Sequence, residues 1–317
     1  MRTRPIQSSS DPVSPTPKPK VVEHRSVLLQ EAVEYLEVKL DDIVVDATLG
    51  GAGHARAIVQ KLGPAGTLIG FDLDHDAIVR AENALKDATC KVELVEKNFR
   101  ELGSALNERS VREINKALFD LGWSSFQLEA GRGFSFNTND PLVMTYAANP
   151  STGLTASRIV NVWAETSLAD IIYGWGDERY SRRIARALVE RRATKPFTTA
   201  RELAETIASA VPAAYRRGRI HPATKTFQAL RIAVNDELGA LKEGLENAWA
   251  HLAPGGRIAV ITFHSIEDRQ VKQYFASLKK SGAGKLLSKK PIPPSEAEIR
   301  ENPRARSAKL RVIEKSL

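Results

Sequence analysis

The feature that most constrains this chain is a regular alternation of short apolar runs and helix-length stretches. "DIVVDAT" leads into a helical stretch near His54–Leu62, and "GTLIGFDLD" leads into another near Asp76–Asp87. "KVELVEKN" and "NKALFDLGWSS" follow. Strands separated by segments of helix length cannot pair as tight hairpins. They run parallel, with the crossover helices covering both faces of the sheet. Upstream, Val27, Leu28, Val33, Leu36 and Leu40 recur at roughly helical spacing. The strand signal is lost from about residue 137 to 222, where the chain reads as helices and loops. It resumes at "GRIAVITFHS", followed by a helix in "DRQVKQYFASLKK" and a last strand in "KLRVIEK". The chain shows no internal repeat. The expected organisation is an α/β domain formed by residues 21–136 and 223–317, interrupted by a helical insertion at 137–222. Insertions at the carboxyl ends of parallel strands often cover a ligand crevice.

Residues 1–20, rich in Pro, Ser and basic side chains, read as a disordered arm with no apolar segment of the kind a secretory signal needs. No apolar run approaches the ~18 residues of a membrane span. The single cysteine, Cys90, excludes an internal disulfide and fits a reducing, cytoplasmic setting. The formal net charge is +8 and unevenly placed. Residues 1–20 carry four basic side chains against one acidic, and residues 279–317 carry eleven against four. In "ERYSRRIARALVERR", Arg179, Arg182, Arg183 and Arg186 fall within about a 100° arc of a helix, with Ile184 and Leu188 turned the other way. One such face is ordinarily just solvated; three basic regions in one chain point to a polyanion such as nucleic acid.

The turn in "VVDATLGGAGHA" narrows the ligand. A phosphate-binding P-loop requires Lys then Ser or Thr after its glycines, and here Gly53 precedes His54 and Ala55. A dinucleotide fingerprint ends on Gly or Ala where this chain has Arg56. Yet Asp72 ends the next strand, placed for a carboxylate that takes ribose hydroxyls. A glycine turn with a ribose acid and no pyrophosphate signature suits a nucleoside without phosphates, such as S-adenosylmethionine. Its carboxylate would meet the amides of Gly53 and His54 at the helix start. The turn by itself is equally compatible with a tight βα connection that binds nothing.

In "FDLGWSSFQLEAGRGFSF", Asp120 falls at the carboxyl end of the fourth strand, over the expected crevice. Asp120, Ser124 and Ser125 are hydrogen-bond acceptors of the kind that position a conjugated exocyclic amine for methylation. Trp123 offers a stacking face for a base, or a core contact. Thr224, Gln228, Arg231 and Asn235 share a narrow helical stripe, either a helix–helix network or a site wall. Ser265 and Asp268 have capping-box spacing, with His264 at the strand end beside them. The six histidines lie far apart, and neither H-x-H nor C-x-x-C occurs, so no metal site is expected.

These blocks carry a resemblance. "HRSVLLQEAVEYL", "DATLGGAGH", "FDLDHDA", "NFREL", "DLGWSSFQLEAGRGFSF", "HPATKTFQALRIAVNDEL", "PGGRIAVITFHSIEDRQVK" and "NPRARSAKLRV" span residues 24–313. Together they resemble the bacterial 16S ribosomal RNA cytosine-N4 methyltransferase family of the MraW type. The resemblance implies a Rossmann-like methyltransferase sheet with a helical insertion, and transfer from S-adenosylmethionine to the N4 amine of a cytosine near the decoding centre of small-subunit rRNA. The cofactor contacts it implies fall on Ala52, Gly53, His54, Asp72, Phe99, Asp120 and Gln127. RNA contacts are expected from Trp123, the four arginines of 179–186, Gln228, Arg231, His264, and Arg304 and Arg306 in the basic tail. The chain departs from the family pattern at Ala52, usually Gly, and at Trp123, usually Val. Val143, Thr145 and Tyr146 stand in a segment that usually carries charges and Met, a change that bears on substrate positioning. Two other readings fit the same residues: a methyltransferase acting on another RNA or a protein amine, and a ribosome assembly factor that binds the cofactor without transferring its methyl.

Overall fold

The computed structural model describes residues 25–122, 131–147 and 153–317. The first part runs α1 (Leu29–Leu36), β1 (Ile43–Asp46), α2 (Gly53–Val59), β2 (Thr67–Asp72), α3 (His75–Leu85) and β3 (Lys91–Glu96). A 3-10 turn at Phe99–Glu101, α4 (Leu102–Glu108) and β4 (Ile114–Asp120) complete it. Next come α5 (Ala156–Val162), α6 (Glu165–Gly174), α7 (Ser181–Thr194), α8 (Ala200–Ala210), α9 (Ala213–Arg216) and α10 (Thr224–Asn235). The chain then returns to the sheet through α11 (Glu237–His251), β5 (Leu252–Thr262), α12 (Ser265–Lys280), β6 (Gly284–Leu286), α13 (Glu296–Glu301), a 3-10 turn at Pro303–Ser307 and β7 (Lys309–Lys315).

The sheet order is β3-β2-β1-β4-β5-β7-β6. β1 to β5 are parallel, as the alternation requires. β7 runs antiparallel to both neighbours, and the short edge strand β6 carries no sequence signal of its own. The chain leaves β5 through α12, lays down β6 at the edge, and comes back between β5 and β6 as β7.

Alternate residues of each strand feed opposite cores. Val44, Leu68, Leu118, Ala259 and Ile261 pack with α1, α2 and α3. Val45, Ile69, Ala117, Phe119, Ile258 and Val260 pack with α4, α11 and α12. Burial of such side chains contributes roughly 1.5–3 kcal/mol each for Val, Leu, Ile and Phe. With both faces apolar, strands read as continuous hydrophobic runs.

The helical segment has a core of its own, built from Ile159, Ile172, Ile184, Leu188, Phe197, Leu203 and Ile207 among others. Phe227, Leu230 and Val234 of α10 belong to that core, so it extends past residue 222. Thr199 starts α8 with a capping box to Glu202. α7 begins at Ser181, which leaves Arg179 in the turn before it.

The neighbours of β1 are β2 and β4, so the connection changes direction between β1 and β4. A crevice opens outside the carboxyl ends of the strands at such a switch point. Asp46 ends β1 and Asp120 ends β4, on the two sides of it.

Candidate active site

The glycine turn forms one wall. Gly50 has φ +49° and Ala52 has φ +58°, both left-handed. Ala52 starts α2 in a conformation that costs an L-residue about 1–2 kcal/mol, and its side chain is fully buried, which is why glycine is the easier residue there. A Cβ on Gly53 would meet Ser26 Oγ at 2.0 Å, so the segment before α1 lies directly on the turn. Asp72 closes the wall from β2. Its Oδ2 accepts from Gly50 N at 2.8 Å and its Oδ1 from Asp74 N at 2.9 Å. Burial raises its carboxyl above the ordinary aspartate value despite those two bonds.

Two acids end the strands at the switch point, Asp120 lining the cavity and Asp46 buried behind the lining. Asp46 is 1% exposed; Oδ1 accepts from Thr48 N at 3.1 Å and Oδ2 has no hydrogen-bond partner among the described residues. Burial pushes its carboxyl up to about 7, and the charge of Asp72 adds to that. Asp120 is raised well above the usual carboxylate range, first by burial and then by the charges of Asp46 and Glu267. Its backbone N–H donates to Thr48 Oγ1 at 2.7 Å, and its Oδ1 lacks a hydrogen-bond partner among the described residues. His54 Nε2 lies 3.1 Å from Val27 O, so this nitrogen carries the proton and donates. Nδ1 then faces Asp120 Oδ2 at 3.5 Å. Gly122, two residues past β4, has φ +130°, and a Cβ there would press on Phe263 at 3.0 Å.

The far wall comes from the break between α10 and α11. Asp236 adopts φ 47°, ψ 45°, ending one helix and starting the next. That turn swings Glu237 back onto Arg231, with Nε–Oε1 at 2.7 Å and Nη2–Oε2 at 2.8 Å. Tyr146 OH donates to Glu237 Oε1 at 3.0 Å, and Asn235 accepts from Tyr146 N at 2.8 Å while donating to Met144 O at 2.8 Å. Tyr146, one of the residues that depart from the family pattern, is thus tied into a half-buried network. Across from it, His264 caps α12 by accepting from Glu267 N, and Glu267 reaches back to the backbone of Phe263 and His264. The cap therefore sits one residue earlier than the Ser265–Asp268 spacing suggested. Ser265 donates to Asp177, and Asp268 holds Arg311 and Lys309. Burial works against ionisation of Glu267, but His264, Arg231 and the Phe263 N–H outweigh it and hold its carboxyl low.

Ligand atoms of Glu237, His264 and Glu267 lie within 4.8 Å of one another, a grouping that spacing in the sequence did not reveal. Glu237 is already occupied by Arg231 and Tyr146, and Glu267 by the helix start.

These walls enclose a cavity of about 450 Å³, within the ~300–1,000 Å³ range of small-molecule sites. Of the residues expected from sequence, the structure brings Gly53, His54, Asp72, Phe99, Asp120, Gln228, Arg231, His264 and Arg304 to its lining. Ala52 stands behind the turn. Phe99 packs edge-on to Phe119, with centroids 5.6 Å apart. Gln228 donates to Trp175 O at 3.0 Å. Arg306 is exposed outside the lining, and Arg179, Arg182, Arg183 and Arg186 lie on a separate exposed surface. Trp123, Ser124, Ser125 and Gln127 fall outside the described residues. Sequence reasoning missed Asp46, Glu237 and Glu267, and named Tyr146 only as a departure from the family pattern. Asp46 had a signal, an acid ending an otherwise apolar strand, whereas the others are recruited by tertiary contacts.

A parallel α/β sheet, a glycine turn facing an acid on the next strand, and a second acid over the switch point define a nucleoside-binding transferase site. The MraW methylase family model matches residues 21–316. A ribosomal RNA small subunit methyltransferase H from Paenibacillus sp. (strain JDR-2) is 47% identical over 315 residues, covering 92% of this chain and 99% of that protein. One of the same name from Heliobacterium mobile is 45% identical over 309 residues, covering 92% and 98%. The crystal structure of an rRNA methylase from Streptococcus thermophilus aligns with 15% identity and a TM-score of 0.42, over 91% of this chain and 94% of that one. The chain belongs to the MraW methylase family. It is an S-adenosylmethionine-dependent methyltransferase.

The residues present fit that donor. Nothing in the turn demands a phosphate, the helix start offers backbone amides, and Asp72 is an acceptor at the cavity edge. Asp72→Ala is expected to weaken S-adenosylmethionine binding by about 1.5–3 kcal/mol, the loss of hydrogen bonds to a charged group. Calorimetry checks it. A folded variant with unchanged affinity would remove Asp72 from the ribose.

Proposed function

We propose that this protein methylates the N4 amine of a cytosine in small-subunit (16S) rRNA near the decoding centre, in the cytoplasm. The observation that carries the chemistry is Asp120, a cavity-lining acid with Oδ1 unpartnered among the described residues. The names of the 47% and 45% identical relatives support small-subunit rRNA as the substrate, and the motif resemblance supports N4 of cytosine.

The exocyclic amine is a weak nucleophile because its lone pair is conjugated into the ring. An acceptor on its N–H holds the nitrogen so that the lone pair leaves conjugation, and then takes the proton that methylation releases. Asp120 is that acceptor in this reading. Ser124, Ser125 and Trp123 follow it in sequence and would complete the pocket for the base. S-adenosylmethionine, when bound, supplies the sulfonium methyl group. Gly53, His54, Asp72 and Phe99 would hold it, with Gln127 and the backbone at Ala52. Gln228, Arg231, His264 and Arg304 would face the nucleotide. The helical insertion, with α10, would grip the RNA, and its exposed arginines with Arg306 would meet phosphates.

Methylation at C5 of cytosine would need a cysteine nucleophile. Cys90 is buried in the core beneath α1, α2 and α3, and burial raises its thiol pKa, which disfavours the thiolate. Cys90→Ser is expected to keep near-full methyl transfer. A folded Cys90→Ser protein without turnover would make direct transfer to nitrogen the wrong mechanism. The function itself is tested by mass spectrometry of rRNA nucleosides from a deletion strain. Loss of an N4-methylated cytidine, restored by the wild-type gene, is expected; an unaltered nucleoside profile would overturn the assignment.

A further inference from the structure

A second concavity, of about 350 Å³, lies outside the active-site cavity and is lined by Arg179, Tyr180, Tyr215, Arg219, Ile220 and Lys225. Three observations converge on it. The first is charge without compensation. Arg182 and Arg183 on α7, Arg216 at the end of α9, and Arg217 and Arg219 after it are exposed, and none has an ion-pair partner among the described residues. Arg179 and Arg219, from segments far apart in sequence, and Lys225 meet in this one groove.

The second is a locked aromatic platform. Tyr180 and Tyr215 meet edge to face with centroids 5.0 Å apart. The Arg179 guanidinium lies 4.8 Å and 5.3 Å from the two ring centroids. Tyr215 OH donates to Glu178, which is fully buried and also accepts from Tyr180 N at 2.8 Å. A ring anchored through its hydroxyl keeps its orientation, and arginine planes and aromatic faces both stack on unpaired bases.

The third is continuity with the site. Lys225 in the first turn of α10 borders this groove, and Gln228, one turn on and about 4.5 Å along the axis, borders the active-site cavity. Lys225 Nζ and Ser265 Oγ both donate to Asp177, at its carbonyl and carboxylate, which ties the groove to the start of α12. An acidic protein would satisfy the charges but has no use for the stacked rings or for an axis leading into a nucleoside site.

We propose that this groove holds single-stranded RNA flanking the target base, with phosphates on Arg179, Arg219 and Lys225 and a base stacked on the Arg179–Tyr215 platform. The inference rests on the rRNA reading above and adds a location for the flank.

The test uses the full chain, a fluorescent oligouridylate of about 20 nucleotides and an RNA duplex of equal length as probes. Binding is measured across salt for wild type and for Arg179→Ala/Arg219→Ala/Lys225→Ala. Each single-strand phosphate contact contributes roughly 0.7 to the slope of log K against log[salt]. The triple variant is therefore expected to flatten the slope by about 2 on oligouridylate, with S-adenosylmethionine affinity unchanged. An unaltered slope overturns the groove. An equal loss on duplex overturns it as a single-strand site. If the triple variant folds poorly, Arg219→Glu on the exposed loop reads the same slope with the same two outcomes. Methyl transfer to small-subunit rRNA by the wild-type chain is scored separately. Its absence would bring down the cytosine reading, whereas normal transfer with an unaltered slope brings down the groove alone.

Discussion

Asp120→Ala is expected to lower single-turnover methyl transfer by about 10²–10⁴-fold, the range that a positioned general base contributes. The carboxylate must be ionised to accept the amine proton, yet the site resists ionisation. Burial raises Asp120, and the charges of Asp46 and Glu267 add to it. Asp46 is itself pushed up to about 7. The interacting acids titrate as a unit, so the rate is expected to rise with pH as they lose protons. Asp46→Asn removes one negative neighbour and should move the ascending limb of the rate profile to lower pH. The same residue has a stability signature of the opposite sense. Because folding raises Asp46 from 3.8 to about 7, the folded state binds the proton more tightly than the unfolded chain. That stabilisation is complete below about pH 3.8 and is lost as pH rises to about 7. Relative to wild type, Asp46→Asn should therefore gain stability at pH 8 compared with pH 4. An Asp120→Ala protein that retained transfer to within tenfold would exclude Asp120 as the base.

Arg231→Met is expected to destabilise the fold by about 3–5 kcal/mol, the cost of breaking a buried ion pair from one side. Arg231 and Glu237 side chains are only 11% and 12% exposed, and their pairing is bidentate. Burial opposes the guanidinium charge, but Glu237 and its neighbours outweigh that and raise the Arg231 pKa. Without Arg231, the Glu237 carboxyl would be left in an enclosed site with Tyr146 as its one remaining side-chain donor among the described residues. Denaturant unfolding checks the loss. A double variant, Arg231→Met with Glu237→Leu, should recover most of it, because no unpaired charge then remains. A single variant within about 1 kcal/mol of wild type would mean that water already reaches the pair and screens it.

Much of the fold was legible in sequence, for reasons that are local. The pair Val44 and Val45 faces opposite cores because side chains alternate along a strand. The runs around Leu68, Leu118 and Ile258 repeat that logic, which is enough to require a sheet covered on both faces. The spacing from the glycine turn to Asp72, and the position of Asp120 at the end of β4, follow from the same strand-by-strand reading. The two acids that close the switch point were therefore visible, Asp120 as a candidate and Asp46 as an overlooked one.

Sequence by itself thus determined the parallel α/β core, the nucleoside-type turn and the acid over the crevice, since periodicity and turn chemistry act over a few residues. Tertiary structure decided what those residues meet. On a continuous helix Arg231 and Glu237 would not face each other; the left-handed Asp236 between them makes the pair. His264 rather than Ser265 starts α12 because Glu267 can reach back to it once β5 has fixed the direction of approach. Arg179 and Tyr215 share one groove only because Tyr215 meets Tyr180 edge to face and donates its hydroxyl to the buried Glu178. Contacts of this kind join residues tens of positions apart, and their geometry is set by how packed surfaces fit, which no local pattern encodes.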